Sequence, residues 1–564
     1  MATTDAAAAS DASQNLDALS PFELKDKLIA YATDYSQQKS ATKSFLNAGR
    51  GNPNWVATIP REAFFLLGQF ALEESKRIWS EPGIGGMPHA PGCAARLQAF
   101  LSSGAGDDAT LIKRSIEYGV KQLGFDADAF VHELVDSIIG DNYPVPDRML
   151  AHAEQVVHRY LEREMWGEES PGRRRLFAVE GGTAAMCYVF DSLLTNFILH
   201  KGDTVALGTP IFTPYIELPH LEEFGLKTIE VGQTTMSNGM HTWQYPESEL
   251  SKLEDPRVKA FFIVNPSNPA SYSMDESAHR FLVNLVQTKR PDLLILTDDV
   301  YGTFVPGFRS LASSLPHNTI LVYSFSKYFG CTGWRLGVIA IHEDNILDDK
   351  LKKLPKVEQE ALHRRYRSLT PDPSGMAFID RMVADSRDVA LNHTAGLSLP
   401  QQAQMALFSL FALLDEDDEY KKRCQGIVHR RWQKLLEGLG VTAPEDPLRV
   451  GYYADLDLEA WGRRTFGEDF VRFAEAHHEP LDIVLSLAKR FGTVLLNGSG
   501  FAGPPWSARV SLANLDEDDY VAIGQHLRDL VGGAVERWRS SQGDDGHNGS
   551  RGANGSSQRN GGRS

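Results

Sequence analysis

The residues best suited to chemistry lie together in Ser324-Phe325-Ser326-Lys327-Tyr328-Phe329-Gly330, closed by Trp334-Arg335-Leu336-Gly337. A lone lysine stands among small hydroxyl residues and glycines, with an arginine following downstream. An isolated lysine is ordinarily a solvated surface cation. Here the apolar, β-branched stretch 319–323 reads as a buried parallel strand that ends at the motif. Lys327 therefore stands just past the carboxyl end of a sheet strand, where open α/β folds bind ligands. A lysine with a lowered pKa can condense with an aldehyde there, while Ser324 and Arg335 hold an anionic phosphate. These groups suit pyridoxal 5'-phosphate held as a Schiff base.

Other strand ends must bring the remaining parts to the same place. Residues 293–297 read as a second buried strand delivering Asp298, whose carboxylate can pair with a protonated pyridine nitrogen and keep the ring an electron sink. Tyr301 follows closely. Its hydroxyl, or the amide of Asn268 in Asn265-Pro266-Ser267-Asn268-Pro269, can hydrogen-bond the cofactor's phenolic oxygen, although Asn-Pro pairs alone mark only turns. Residues 176–179 lead through Glu180-Gly181-Gly182-Thr183 into a helical pattern, so Gly182 and Thr183 can offer backbone N–H groups to a phosphate. Phe212, beyond the strand-like 204–207, could stack on the pyridine ring or be an ordinary core phenylalanine.

Taken in this order, the motifs resemble the aspartate-aminotransferase fold-type of pyridoxal-phosphate enzymes, over roughly residues 20 to 535. Three stretches are similar to the aspartate 4-decarboxylase branch of that family: residues 47–55 (Asn-Ala-Gly-Arg-Gly-Asn-Pro-Asn-Trp), residues 393–398 (His-Thr-Ala-Gly-Leu-Ser), and Asn497-Gly498-Ser499-Gly500-Phe501 through Arg509. The 564-residue length also fits that branch. The resemblance implies an α/β chain, with a large domain of mostly parallel sheet flanked by helices and a smaller α+β domain. It implies β-decarboxylation of L-aspartate to L-alanine and CO2, with aminotransferase side activity and rescue by 2-oxo acids. A dicarboxylate aminotransferase is the alternative, and a ligand-sensing regulator of the same fold a more distant one; the latter carries a basic winged-helix domain, for which the acidic first 150 residues have no counterpart.

Residue by residue, the resemblance makes Lys327 the Schiff-base lysine and places Arg509 on the substrate α-carboxylate with Asn268 nearby. Arg50 then lines the site near substrate. Thr394 falls where dicarboxylate aminotransferases place a cationic partner for the distal carboxylate. Tyr143 becomes a phosphate ligand given by a neighbouring subunit, in a homodimer at least and in hexamers of dimers. The chain departs from many relatives in having Ala270-Ser271 after Asn268-Pro269, and Gly-Gly-Thr at the phosphate turn.

Composition agrees with such an enzyme. The formal net charge is −17 with no long Lys/Arg run, which lacks the footprint expected for nucleic acid or an acidic membrane surface. Cys93, Cys187, Cys331 and Cys424 are scattered, and the histidines have no ligand spacing, so no metal is assigned. The start has no cation before Lys25 and no apolar core of a signal peptide, and no run is long enough to span a membrane, so the cytoplasm is expected. The expected organisation is a disordered 1–19, an N-terminal arm and part of the small domain over 20–150, the large domain over 151–400, the rest of the small domain over 401–539, and a disordered Gly/Ser/Asn-rich tail over 540–564. Ser20-Pro21-Phe22-Glu23 reads as a capping box that starts ordered structure. The charged segment 344–389 reads as a solvated helical surface or as extra subunit contacts.

Overall fold

The structure is a computed structural model that describes residues 16, 19–38, 45–79, 81–103, 106–170, 172–237, 239–389 and 396–548. A seven-stranded sheet is formed by β1 (Arg174–Val179), β2 (Thr204–Thr209), β3 (Lys227–Gly232), β4 (Val258–Val264), β5 (Leu294–Asp298), β6 (Thr319–Ser324) and β7 (Gly337–His342). Their spatial order is β1-β7-β6-β5-β4-β2-β3. Strand β7 runs antiparallel to both neighbours, and every other pair is parallel. All of β5 and β6 is buried, which is why these strands are continuous apolar runs rather than alternating ones. The expected mostly parallel α/β sheet is present. The parallel strands all end on one edge, so Glu180, Asn265, Asp298 and Ser324 come together there although they are far apart in the chain.

The smaller domain has a three-stranded antiparallel sheet of β8 (Tyr453–Asp457), β9 (Leu496–Asn497) and β10 (Ser507–Ser511), with β10 in the centre. Helices α1 (Pro21–Gln38), α4 (Glu419–Leu439) and α5 (Glu517–Asn548) supply apolar residues such as Leu24, Leu28, Leu435, Tyr520 and Leu527 to its core. At the start of α1 the Ser20 hydroxyl donates to the Glu23 carboxylate, a side chain-to-side chain bond in place of the reciprocal side chain-to-backbone bonds of the expected capping box. Helix α5 continues past residue 540 to Asn548.

The stretch 20–150 is shared between two cores. Ala48 and the apolar face of α1 belong to the small domain, whereas Ala63, Leu67, Val131 and Leu134 join the core beneath the large sheet, together with Met405 and Ala406 of α3 (Leu399–Leu413). Residues 344–389 form three helices, Ile346–Lys352, Lys356–Tyr366 and Phe378–Asp385. They are more than a solvated surface. Buried Asp385 accepts from Tyr366 at 2.8 Å, Arg365 at 2.9 Å and Ser192 at 2.7 Å, which ties the segment to α2 (Gly182–Thr195). No described helix is long and apolar enough to cross a membrane.

Candidate active site

A cleft of about 270 Å³ opens at the carboxyl edge of the large sheet and is closed on its far side by the small domain. Lys327, Asp298, Asn268, Tyr301, Ser324, Arg335, Gly182, Thr183, Phe212 and Arg509 all line it. Asp298 and Ser324 are the last residues of β5 and β6, Gly182 and Thr183 begin α2, Arg509 lies on β10, and the others come from the segments that follow strands. Lys327 Nζ donates to the Gly51 carbonyl at 3.1 Å. A Cβ at Gly51 would stand 2.5 Å from Tyr453 Oη and 3.3 Å from Lys327 Nζ, so glycine lets the N-terminal segment pass this close to the lysine.

Asp298 lines the cleft, while its neighbour Asp299 turns away to Thr297. Tyr215 Oη donates to Asp298 Oδ2 at 2.7 Å and the Val300 amide to Oδ1 at 3.2 Å. Burial nevertheless pushes the Asp298 carboxyl up to about 6, against the opposing pull of Tyr215, Val300 and Lys327. A buried carboxylate in this state gains from a cation set against it.

The phosphate end of the cleft is built differently. Arg335 has left-handed backbone geometry, φ 56°, and its guanidinium donates to the Thr332 and Glu180 carbonyls at 3.0 and 3.1 Å, which holds it over the start of α2. Ser324 Oγ lies 2.9 Å from Ser326 Oγ. Free N–H groups of a helix start, two hydroxyls and a guanidinium form an anion cradle. A cleft lysine, a buried carboxylate and an anion cradle thus fit pyridoxal phosphate, with Phe212 on the cleft wall.

At the opposite end, Arg509 is almost wholly buried. It donates to Asn268 Oδ1 at 3.2 Å and to the Gly49 carbonyl at 2.9 Å, and its guanidinium carbon lies 4.4 Å from the Tyr453 ring centre. Its Nε has no hydrogen-bond partner among the described residues. A fixed planar guanidinium with donors to spare suits a carboxylate. Tyr301 Oη donates to Tyr453 Oη at 3.1 Å. Burial works to raise the Tyr453 hydroxyl, but the Lys327 and Arg509 cations outweigh it and hold it below the ordinary tyrosine range.

Three sequence candidates stand apart from these. Arg50 is exposed and is not among the cleft-lining residues; its neighbours Gly49 and Gly51 meet the site through their carbonyls instead. Tyr143 is 68% exposed, away from the cleft of its own chain. Thr394 lies outside the described residues. Tyr215, Tyr453, Gly51 and Asn52 line the cleft without having been singled out from sequence. Tyr215 lies in the short helix Thr213–Glu217 that Phe212 precedes, and nothing in its local sequence marks it as a partner of Asp298.

Sheet and cleft together define a pyridoxal-phosphate enzyme of the aminotransferase fold. A family model for class I and II aminotransferases matches residues 177–523, and the chain belongs to that family. It is 50% identical over 526 residues, 93% of this chain and 97% of the relative, to a Pseudomonas protein called bifunctional aspartate aminotransferase and L-aspartate beta-decarboxylase. Among solved structures, a double mutant of Thermus thermophilus aspartate aminotransferase aligns with a TM-score of 0.54 at 16% identity, covering 89% of this chain and 95% of that one. N-succinyldiaminopimelate aminotransferase from Mycobacterium tuberculosis aligns at 0.54 and 16%, covering 91% and 97%. At such identities these structures establish the fold alone.

Proposed function

We propose that this chain converts L-aspartate to L-alanine and CO2 as a pyridoxal-phosphate-dependent β-decarboxylase, with aspartate aminotransferase as a side activity. The observation that carries the reading is buried Arg509 set across one cleft from Lys327 and Asp298, in a chain half identical over nearly its whole length to a protein named for both activities. Bound pyridoxal phosphate supplies the electron sink for the pair left behind when a substrate bond breaks.

The chain's own residues then divide the remaining work. Asp298, steadied by Tyr215, keeps a proton on the ring nitrogen, while Tyr301 and Asn268 orient the ring through its phenolic oxygen. Ser324, Arg335, Gly182 and Thr183 hold the phosphate, and Phe212 covers the ring face and excludes water. Arg509 grips the α-carboxylate, which leaves Cα facing Lys327. Freed of its bond, the Lys327 amine takes the proton from Cα and can later return it. Thr394, a neutral hydroxyl, restrains the distal carboxylate weakly, as suits a group that must leave as CO2, and Arg50 is the second candidate near that carboxylate. Tyr143 reaches the phosphate of the neighbouring subunit. Dimers at least, grouped as hexamers of dimers and working in the cytoplasm, complete the proposal; 2-oxo acids restore enzyme lost to side transamination.

Incubation with aspartate alone tests the reading. Alanine and CO2 should accumulate in equal amounts over many turnovers. Oxaloacetate without CO2, stopping after one turnover until 2-oxoglutarate is added, would make the chain a dicarboxylate aminotransferase.

A further inference from the structure

A second cavity, about 240 Å³, lies between the large-domain turn carrying His241 and Trp243 and the β8 face of the small domain. It meets the active cleft at Tyr453, which lines both. Its walls are aromatic and apolar, formed chiefly by Trp243, Tyr272, Trp432, Leu436 and Trp461.

Its polar groups follow from strand alternation. Ala454 and Leu456 pack into the small-domain core, so Tyr453, Asp455 and Asp457 share the opposite face of β8. Asp457 is well served, accepting from the Ala460 amide at 2.9 Å and lying 2.8 Å from His241 Nε2. Asp455 is not. Both of its carboxylate oxygens are buried without a hydrogen-bond partner among the described residues. Burial pushes this carboxyl up to about 6, with the neighbouring Asp457 charge adding to it, against the weaker pull of the Ser507 hydroxyl, His241 and Arg509, so its ionised form is costly here.

His241 adds a second acceptor. Its ring stacks on Trp243 at 4.1 Å and 16°. Its Nε2 faces Asp457, and Nδ1 is buried without a partner among the described residues, an acceptor in the neutral tautomer that gives Nε2–H to Asp457. Arg449 does not supply the missing donors. It is bound to the Tyr272 hydroxyl at 2.9 Å and the Pro444 carbonyl at 3.1 Å, and lies over the Trp432 ring. Arg464 stands at the exposed rim.

We propose that this cavity is a second ligand site, for a small organic cation that presents several N–H donors from a flat apolar body, with Asp455 as its counter-ion. The carboxylate and imidazole take the donors, and the indoles take the flat body and favour its positive charge. The site requires neither the cofactor nor the reaction proposed above.

Benzamidine, which has this chemistry, and its neutral isostere benzamide provide the probe. The full-length holoenzyme would be titrated by calorimetry, with tryptophan fluorescence reporting from the cavity walls. One benzamidine per chain should bind, at least about tenfold more tightly than benzamide, since a charge-assisted pair is worth ~1.5–3 kcal/mol. Asp455→Asn should erase that preference. Ala443→Trp, which puts an indole into the cavity from its wall and leaves Asp455 intact, should abolish binding with the cofactor's absorbance unchanged. Absence of saturable binding, equal affinity for benzamide, or benzamidine binding that survives Ala443→Trp would overturn the proposal; the last arm decides the matter even if Asp455→Asn fails to fold.

Discussion

Asp298 bears two opposed demands. Its proposed role against the ring nitrogen needs it ionised, yet burial pushes its carboxyl up to about 6 from a usual value near 3.8. A carboxyl raised in the folded state binds its proton more tightly there than in the unfolded chain. It therefore takes stability away as pH rises between those two values, and the full penalty stands above about 6. A shift of this size corresponds to ~3 kcal/mol. In cofactor-free protein, Asp298→Asn should raise the unfolding free energy by up to ~3 kcal/mol at pH 8, with the gain fading toward pH 4. Urea denaturation at both pH values reads it; equal gains would show that the charge is not the cause. The same variant should hold the cofactor less tightly. Lys327→Ala should lose the near-visible absorbance of lysine-bound cofactor, and borohydride should then fix no cofactor to the chain. Label on another lysine would displace Lys327 from its role.

At the scale of elements, α4 and α5 cross with their backbones almost touching. A Cβ at Gly524 would stand 2.6 Å from the Leu439 amide, and one at Gly438 would stand 3.0 Å from Gly524 Cα. Gly524→Val should therefore force the helices apart at a cost of ~1–3 kcal/mol, seen as a lower melting temperature, while the folded fraction keeps its turnover. An unchanged melting temperature would mean that the crossing yields freely. This crossing was not legible in sequence, because two glycines within amphipathic helices give no sign of which helices meet. The central strands were legible because burial on both faces makes β5, β6 and residues 260–264 of β4 largely apolar runs, and the polar residues at their ends mark the cleft edge. Tyr215 and Tyr453 were not legible as site residues. Their partners Asp298 and Tyr301 are 83 and 152 residues away, and no local pattern encodes a contact made by sheet topology. Segment 344–389 read as surface because its charged residues outnumber the few, Tyr366 and Asp385 among them, that turn inward.

At the scale of the whole molecule, Tyr143 does not line its own cleft, and the proposed assembly gives it to a partner's. A mixing experiment tests this directly. Lys327→Ala and Tyr143→Ala homodimers should each be impaired, yet hybrids unite an intact lysine in one subunit with an intact tyrosine from the other. Random reassortment should restore about a quarter of parental activity, since half the dimers are hybrid and each has one complete site. No recovery in verified hybrids would place Tyr143 outside the site. The cleft also joins the two ends of one chain: residues 46–47 pair with residues 493–494, the Ala48 carbonyl accepts from the Ser511 amide at 2.8 Å, and Arg509 reaches Gly49. A ribosome delivers these ends far apart in time. The large sheet, complete by residue 342, can form while synthesis continues, but the proposed carboxylate clamp cannot close until residue 509 has left the exit tunnel. On the proposed assignments a nascent chain gathers its cofactor-binding residues long before it can grip a substrate, so premature termination anywhere before β10 yields a protein that lacks Arg509.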